Sequence, residues 1–509
     1  MDGDWDLKSW KPTGKVVNIW RKLGIQGTPP SEMIEMRSVN VQECTKEITR
    51  LPHDLDAWLI RATSLSELGY IDLAAVDYYK TLKLAQIALD PEQASNPISF
   101  SARFIVGMLM LLENGPGWNI AKNMDQKIAG IEFACCINLI HILEDFTAFW
   151  DACRVCEEFN ATVSKRPQWK SDPNWGLPGQ AEFYKRYPAK LLHITDEIEI
   201  EGRRGGMVIL RKWPWMKSFR FVRDKALLNE INAELKVCSG MIEVRKSSME
   251  YGISSAKTKK QKKKADESLD FLGIFAKKDI GIGETFLVDR PLFATSSVVT
   301  PQQCCHCFEN LPSTRVVSCA NCITKYCSSK CMMEAQNTYH KPLCGRDFSW
   351  VHYRYSPDMS KTNGILLKLL ASSIQNGIHP LEHPLIVRLT ANYTGDNTDT
   401  WSLANVANQI KMVEQLGIDV YADLRFDTWV LGVIGARISN NAIGGNDRLI
   451  VRPHHSLFNR SCETYTDMRP IGGVGKSLEM EMVAVRPIKK GEEIFIEYFD
   501  CEDLPRALR

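Results

Sequence analysis

No run of about eighteen apolar residues occurs anywhere in the 509-residue chain, so nothing in it reads as a membrane-spanning helix. Residues 1–11, with acids at Asp2, Asp4 and Asp6, lack the basic-then-apolar layout of a secretory leader. The expectation is a protein that stays inside the cell, in the nucleus, the cytoplasm or both. Net charge is also nearly absent: 63 basic residues against 61 acidic ones leave +2, without the basic footprint of a nucleic-acid binder. Direct nucleic-acid binding is therefore not expected. What the chain does have is length and a hydrophobic content of 44%, enough for two or more domains with cores of their own.

The balance of charge is locally broken at residues 257–264, which hold six lysines in eight positions. Such a block cannot pack, and it reads as a solvated linker, a nuclear-import signal or a basic patch.

Cysteine is concentrated in one place. Seven cysteines and one histidine between Cys304 and Cys344 form four couples: Cys304/Cys307, Cys319/Cys322, Cys327/Cys331 and His340/Cys344. Zinc takes thiolate sulfur and imidazole nitrogen in fours, and a C-x2-C couple lets one tight turn aim two sulfurs at one ion. Eight ligands make two closed tetrahedral zinc sites, with a structural rather than catalytic role because no coordination position is left for water. Cys305 and His306 lie inside the first couple and are spare, His306 reading as a solvated turn residue. The nine cysteines besides those seven, Cys305 among them, read as free thiols in a reducing compartment.

The order C-x2-C, C-x2-C, C-x3-C, H-x3-C resembles the MYND zinc finger at every ligand position. That resemblance implies interleaved sites, with Cys304, Cys307, Cys327 and Cys331 on one ion and Cys319, Cys322, His340 and Cys344 on the other. It also implies protein partners, often proline-rich peptides, rather than catalysis.

Upstream, Trp58, Leu65, Leu68, Ala74, Tyr78, Leu82 and Leu89 recur at helical spacing, and Gly69 breaks the run, which predicts a helix, a turn at Gly69-Tyr70 and a second helix. Trp58, Leu68-Gly69, Ala74 and Tyr78 resemble a tetratricopeptide repeat. Apolar-periodic helices continue over 100–112, 128–143 and 146–159, as a degenerate array or an ordinary bundle. A Pro- and Trp-rich connector over 167–188, a β-prone run at Met207-Val208-Ile209-Leu210 and Trp213-Pro214-Trp215 follow, the tryptophans reading as an anchor. A helix over about 221–237 then leads to the lysines.

Beyond the lysines, Phe271-Leu272-Gly273-Ile274-Phe275-Ala276 and Thr285-Phe286-Leu287 flank a turn ending Gly283-Glu284. Near the other end, Met482-Val483-Ala484-Val485 and Ile494-Phe495-Ile496-Glu497-Tyr498 flank Gly491-Glu492-Glu493, in the same strand, Gly-Glu turn, strand form. With Asn459-Arg460-Ser461-Cys462 between them, these blocks resemble the two halves of a SET domain, and a MYND finger inserted after the first half resembles the SET and MYND family. The fold class expected is α+β multidomain: a helical, tetratricopeptide-like region (40–165), a connector and helix (166–255), a basic linker (256–268), the first SET half (269–300), the MYND finger (304–344), a helical insert (361–445) and the second SET half (446–501).

The family resemblance implies a protein-lysine methyltransferase acting on a histone or other protein with S-adenosylmethionine. On this chain it puts Tyr498 in the catalytic position and Leu272, Gly273, Asn441, Asn459, Arg460 and Tyr498 against the cofactor. Methyl transfer to an amine is an in-line displacement, so the protein must align donor and acceptor, desolvate the lysine and point oxygen atoms at the reacting centre. The chain departs from the family pattern at three places. Phe271 stands where the first loop glycine belongs, Arg460 where a histidine belongs, and Glu463 follows Cys462 in place of Asp-Pro-Asn. Only Cys501 follows Tyr498, so a third zinc site is not expected. These departures support a competing reading, a catalytically weak or inactive SET and MYND interaction scaffold in transcriptional regulation.

Overall fold

The computed structural model describes residues 30–114, 120–145, 147–165, 206–209, 213–216, 223–247, 272–296, 302–312, 316–352, 357–391, 398–444, 448–461, 465–471 and 478–497. The lysine block, the 167–188 connector, Phe271, Cys462, Glu463, Tyr498 and Cys501 lie outside them. Contacts divide the chain into two compact units, Met1–Lys217 with Gly395–Trp429, and Ser218–Thr394 with Val430–Arg509. The first is mainly helical and the second contains most of the β-structure.

In the first unit six helices follow one another: α1 (Ser31–Arg50), α2 (Leu55–Glu67), α3 (Ile71–Leu89), α4 (Pro97–Asn114), α5 (Ile120–Asp145) and α6 (Phe149–Lys165). Asp54 starts α2 by accepting hydrogen bonds from the backbone N–H groups of Asp56 and Ala57, which supplies partners for donors a helix start leaves open. Gly69 ends the pair's first member at φ +80°, a conformation that costs a glycine little, and Tyr70 N–H bonds back to Leu65 C=O. Trp58, Leu65, Leu68, Ala74, Tyr78 and Leu82 are all buried, so the helical spacing marks a real core face. Strand β1 (Gly206–Ile209) pairs antiparallel with Thr398–Trp401, and Trp213 stacks on Trp215 with Tyr70 edge-on to both.

The 395–429 stretch falls within the sequence-expected helical insert, yet it packs in this first unit. The Asp151 carboxylate on α6 accepts from the N–H groups of Leu403 and Ala404, the opening residues of the helix Leu403–Gln415. Deeper in, fully buried Arg61 makes a two-pronged bond to Asp77 and reaches Asp427 at 3.2 Å, while Lys80 lies 3.4 Å from Asp427. Both cations sit over the Trp58 ring, 4.5 and 4.8 Å from its centroid. Burial alone would raise the Asp427 carboxyl, but Arg61 and Lys80 hold it well below the usual carboxylate range.

The second unit begins with α7 (Lys225–Cys238), capped by Asp224, and β2 (Ile242–Lys246). Strands β3 (Leu272–Ala276), β4 (Thr285–Asp289) and β5 (Phe293–Ser296) precede the cysteine-rich segment, which holds β6 (Val317–Ser318), β7 (Lys325–Tyr326) and α8 (Ser329–Thr338). Helix α9 (Pro357–Asn376) follows, and α10 (Thr428–Asn441) leads to β8 (Ile443–Gly444), β9 (Arg448–Val451), β10 (Asn459–Arg460), β11 (Thr466–Pro470), β12 (Met480–Ala484) and β13 (Glu493–Ile496). Three sheets result, in strand orders β10-β13-β3-β2, β11-β12-β4 and β5-β9-β8, besides the β6-β7 hairpin.

The two similar sequence blocks pair with each other. Strand β3 runs antiparallel to β13 with Ile274 opposite Ile494, β4 runs antiparallel to β12 with Leu287 opposite Met482, and Ile280 bridges Ile488. Their turns match in detail. Gly283 and Gly491 both have positive φ at the third position of a turn, as a type II turn requires, and Glu284 and Glu492 each accept from the N–H three residues back, Gly281 and Lys489. Ile274, Ile280, Phe286, Leu287, Phe458, Met482, Ile488, Ile494 and Ile496 form one core with Ile231 and Leu235 of α7. Among the described residues no helix is long and apolar enough to cross a membrane.

Candidate cofactor and metal sites

Strand β10 is short but pivotal: it runs parallel to β13, with Asn459 opposite Phe495 and Arg460 opposite Ile496, and so lies one strand away from β3. Across that gap the Asn459 side-chain amide donates to Leu272 C=O at 3.1 Å and to the Glu493 carboxylate at 2.7 Å. Ser247, just past β2, donates to the same Glu493 oxygen at 2.7 Å. Glu493 is buried, and its carboxylate fills the space beside Gly273: a Cβ there would sit 2.2 Å from Oε1 and 3.1 Å from Asn459 Nδ2. Only glycine fits, and Gly273 is therefore a close-approach glycine rather than a bulge residue. The Asn459 amide nitrogen is engaged twice, whereas its Oδ1 carries no hydrogen bond among the described residues.

Leu272, Gly273, Asn459 and Arg460 thus share one sheet. Asn441 does not join this hydrogen-bonded cluster: it ends α10, and its amide donates to the carbonyls of Thr390 and Arg437. Tyr498 lies outside the described residues, two positions beyond the end of β13. Glu493 and Ser247 were not picked out from sequence. Glu493 had a signal, since it stands in the Gly-Glu-Glu turn next to an apolar strand, but only the pairing with β3 reveals that it faces inward.

The eight cysteine-rich ligand candidates gather into two groups, Cys304, Cys307, Cys327 and Cys331 in one, and Cys319, Cys322, His340 and Cys344 in the other, with ligand atoms all within 4.8 Å of one another in each. Sulfur separations of 3.5 Å (Cys307 to Cys327, Cys327 to Cys331) and 3.8 Å (Cys319 to Cys344) are close to the roughly 3.8 Å edge of a tetrahedron with zinc–sulfur bonds of about 2.3 Å. His340 offers Nε2, 3.3 Å from Cys319 Sγ and 3.6 Å from Cys322 Sγ, and burial favours its neutral, ligating form. Four sulfurs or three sulfurs and one nitrogen suit zinc, and both groups are able to hold it. Local folding aims the ligands. Ser328 caps α8 by accepting from Cys331 N–H, and the first loop is tied to β7 by Cys305 N–H donating to Lys325 C=O.

His306 lies outside both ligand groups, as its sequence reading has it, but it is half-buried rather than a solvated turn residue. Its ring stacks on Tyr339, Nδ1 is 3.0 Å from the Tyr339 hydroxyl and Nε2 is 3.2 Å from Glu334. Burial, with the nearby Lys368 charge adding to it, pushes this imidazole down to about 4. The Cys44, Cys135, Cys136, Cys153 and Cys156 thiols of the first unit are buried, and burial raises each.

Among families of known proteins, the SET domain matches residues 272–499. No curated protein matches the chain. The matched span opens on β3 and closes just past β13, the two strands that bracket Gly273, Asn459 and Glu493, and the chain accordingly carries a SET domain.

Proposed function

We propose that the protein is a protein-lysine N-methyltransferase that takes its methyl group from S-adenosylmethionine. SET methyltransferases use this donor, and the observation that carries the reading is the convergence of Gly273, Asn459 and Glu493 on the SET sheet. Gly273 offers backbone without a side chain, and Asn459, held by Glu493 and Leu272, has an amide oxygen that carries no hydrogen bond among the described residues and suits a donor's ammonium group. The bound donor would supply an electrophilic methyl on a sulfonium. The protein's task is then to hold donor and amine in line, keep the amine dry and neutral, and direct oxygens at it. Tyr498, whose placement lies outside the described residues, is assigned to that last role by the family resemblance, and Arg460 and Asn441 to further donor contacts. The cysteine-rich segment is read as a MYND finger with two structural zinc ions and an affinity for proline-rich peptides, the N-terminal helices as a tetratricopeptide-like partner surface, and the location as nucleus or cytoplasm.

The second reading, an inactive interaction scaffold, draws on Phe271 and Arg460, which replace the family's glycine and histidine. A methyl-transfer assay on protein substrates separates the two. Wild type should transfer label, and Tyr498→Phe should lose at least about a hundredfold in rate, in line with removal of one preorganised transition-state contact. Equal background from both proteins would favour the scaffold.

A further inference from the structure

Helix α9 carries a lysine in the middle of an apolar run, Ile365-Leu366-Leu367-Lys368-Leu369-Leu370. Lys368 is buried and turns its ammonium toward the first cysteine loop. There it donates to Ala294 C=O of β5 at 2.8 Å and to Cys305 C=O at 3.3 Å, the residue directly after Cys304. Its Nζ lies 4.7 Å from the Phe308 ring centroid and 5.0 Å from that of Tyr339. Phe308 reaches this position with φ +60°, an uncommon backbone for a side chain of its size, and its carbonyl is held by Arg448 at 3.0 Å. Among the described residues no carboxylate pairs with Lys368, so its direct contacts are carbonyl dipoles and ring faces. A buried cation without a counter-ion is costly, and such charges are ordinarily paired.

We propose that Lys368 is the charge partner of the four-cysteine metal site. Four thiolates around one divalent zinc are a dianion, whereas three thiolates and a neutral imidazole around the other are a monoanion. The Cys304, Cys307, Cys327 and Cys331 group therefore needs positive charge nearby, and Lys368 needs negative charge. One supplies the other. The lysine also fixes the Cys305 carbonyl in the loop that presents Cys304 and Cys307, and it joins that loop to strand β5 of the SET unit. Its effect is on metal retention at this site alone, an outer contact of the kind that changes metal affinity by about ten- to a hundredfold. The inference rests on the two-zinc reading.

The test uses the full chain in its zinc-loaded form. Native mass spectrometry first counts the metal: two ions in wild type satisfy the zinc reading, and none would overturn that reading and this inference together. Zinc is then released into excess pyridylazoresorcinol, while differential thiol alkylation, read by peptide mass spectrometry, reports which cysteines open. Lys368→Met should release one ion about tenfold faster than wild type, from Cys304, Cys307, Cys327 and Cys331, and leave the other unchanged. Lys368→Arg, which keeps the charge, should hold both ions at close to the wild-type rate. Where Lys368→Met does not fold, Lys368→Gln keeps a donor for the carbonyls without the charge and carries the same expectation. Unchanged release from the uncharged variant, acceleration at the Cys319 group instead, or an arginine variant as leaky as the methionine one would each overturn the proposal.

Discussion

Gly273 is the most constrained residue of the candidate cofactor site. An alanine Cβ would meet the buried Glu493 carboxylate at 2.2 Å, and that carboxylate cannot swing away without giving up Asn459 and Ser247. Glu493→Gln is the gentler probe of the same cluster. It keeps one oxygen acceptor but loses the charge, and it should destabilise the protein by about 1–2 kcal/mol, read as a lower urea midpoint with an unchanged slope. Donor-product affinity should fall with it, because Asn459 would no longer be held in one orientation; unchanged stability and affinity would show that Glu493 does not position Asn459. At this scale the sequence was partly legible. Gly273 and Asn459 stand out by motif, and both lie in the cluster. Asn441, assigned to the donor by the family resemblance, lies outside that cluster with its amide on Thr390 and Arg437, and His306, a solvated turn residue by its sequence, is stacked on Tyr339. Those two contacts depend on chain segments far apart or folded back, which local sequence does not encode.

Among the elements, the paired blocks and the return segment make opposite points. The strand, Gly-Glu turn, strand pattern was visible twice in the sequence, and the structure pairs the two copies through β3 with β13 and β4 with β12. Alternation and glycine turns are local signals, so they survive into the fold. Residues 395–429 are legible in the sequence only as part of a helical insert, which does not say in which core they pack. Their place in the first unit is set by long-range polar contacts, Asp151 to the helix start at Leu403 and Asp427 to Arg61 and Lys80. Asp427→Asn would leave two buried cations sharing Asp77, and it should cost about 3–5 kcal/mol of stability. The sign with pH is fixed by the direction of the shift. A carboxyl whose folded value lies below its ordinary one of about 3.9 contributes fully above that value, and its contribution is lost as pH falls through the folded value. The stability difference between wild type and Asp427→Asn should therefore stay level from neutral pH down to about 5 and shrink only in stronger acid. Chemical denaturation at a series of pH values measures it; a difference that vanishes already at mildly acidic pH would contradict the assignment.

On the scale of the whole molecule, the chain is a helical unit and a SET-bearing unit whose cysteine-rich segment brings two ligand groups together. The ligand spacing made those groups readable from sequence, because couples two or three residues apart must face one point to be useful. What it could not show is Lys368, since a single lysine in an apolar run gains meaning only when a helix brings it to the loop of another segment. In the proposed function, β3, β10 and β13 would hold the methyl donor around Gly273 and Asn459. Calorimetric titration with S-adenosylhomocysteine, on wild type and on Gly273→Ala shown by its urea midpoint to be folded, tests this most directly. One saturable site is expected in wild type and none in the variant; no heat from wild type at millimolar ligand, or equal binding by both proteins, would rule the site out.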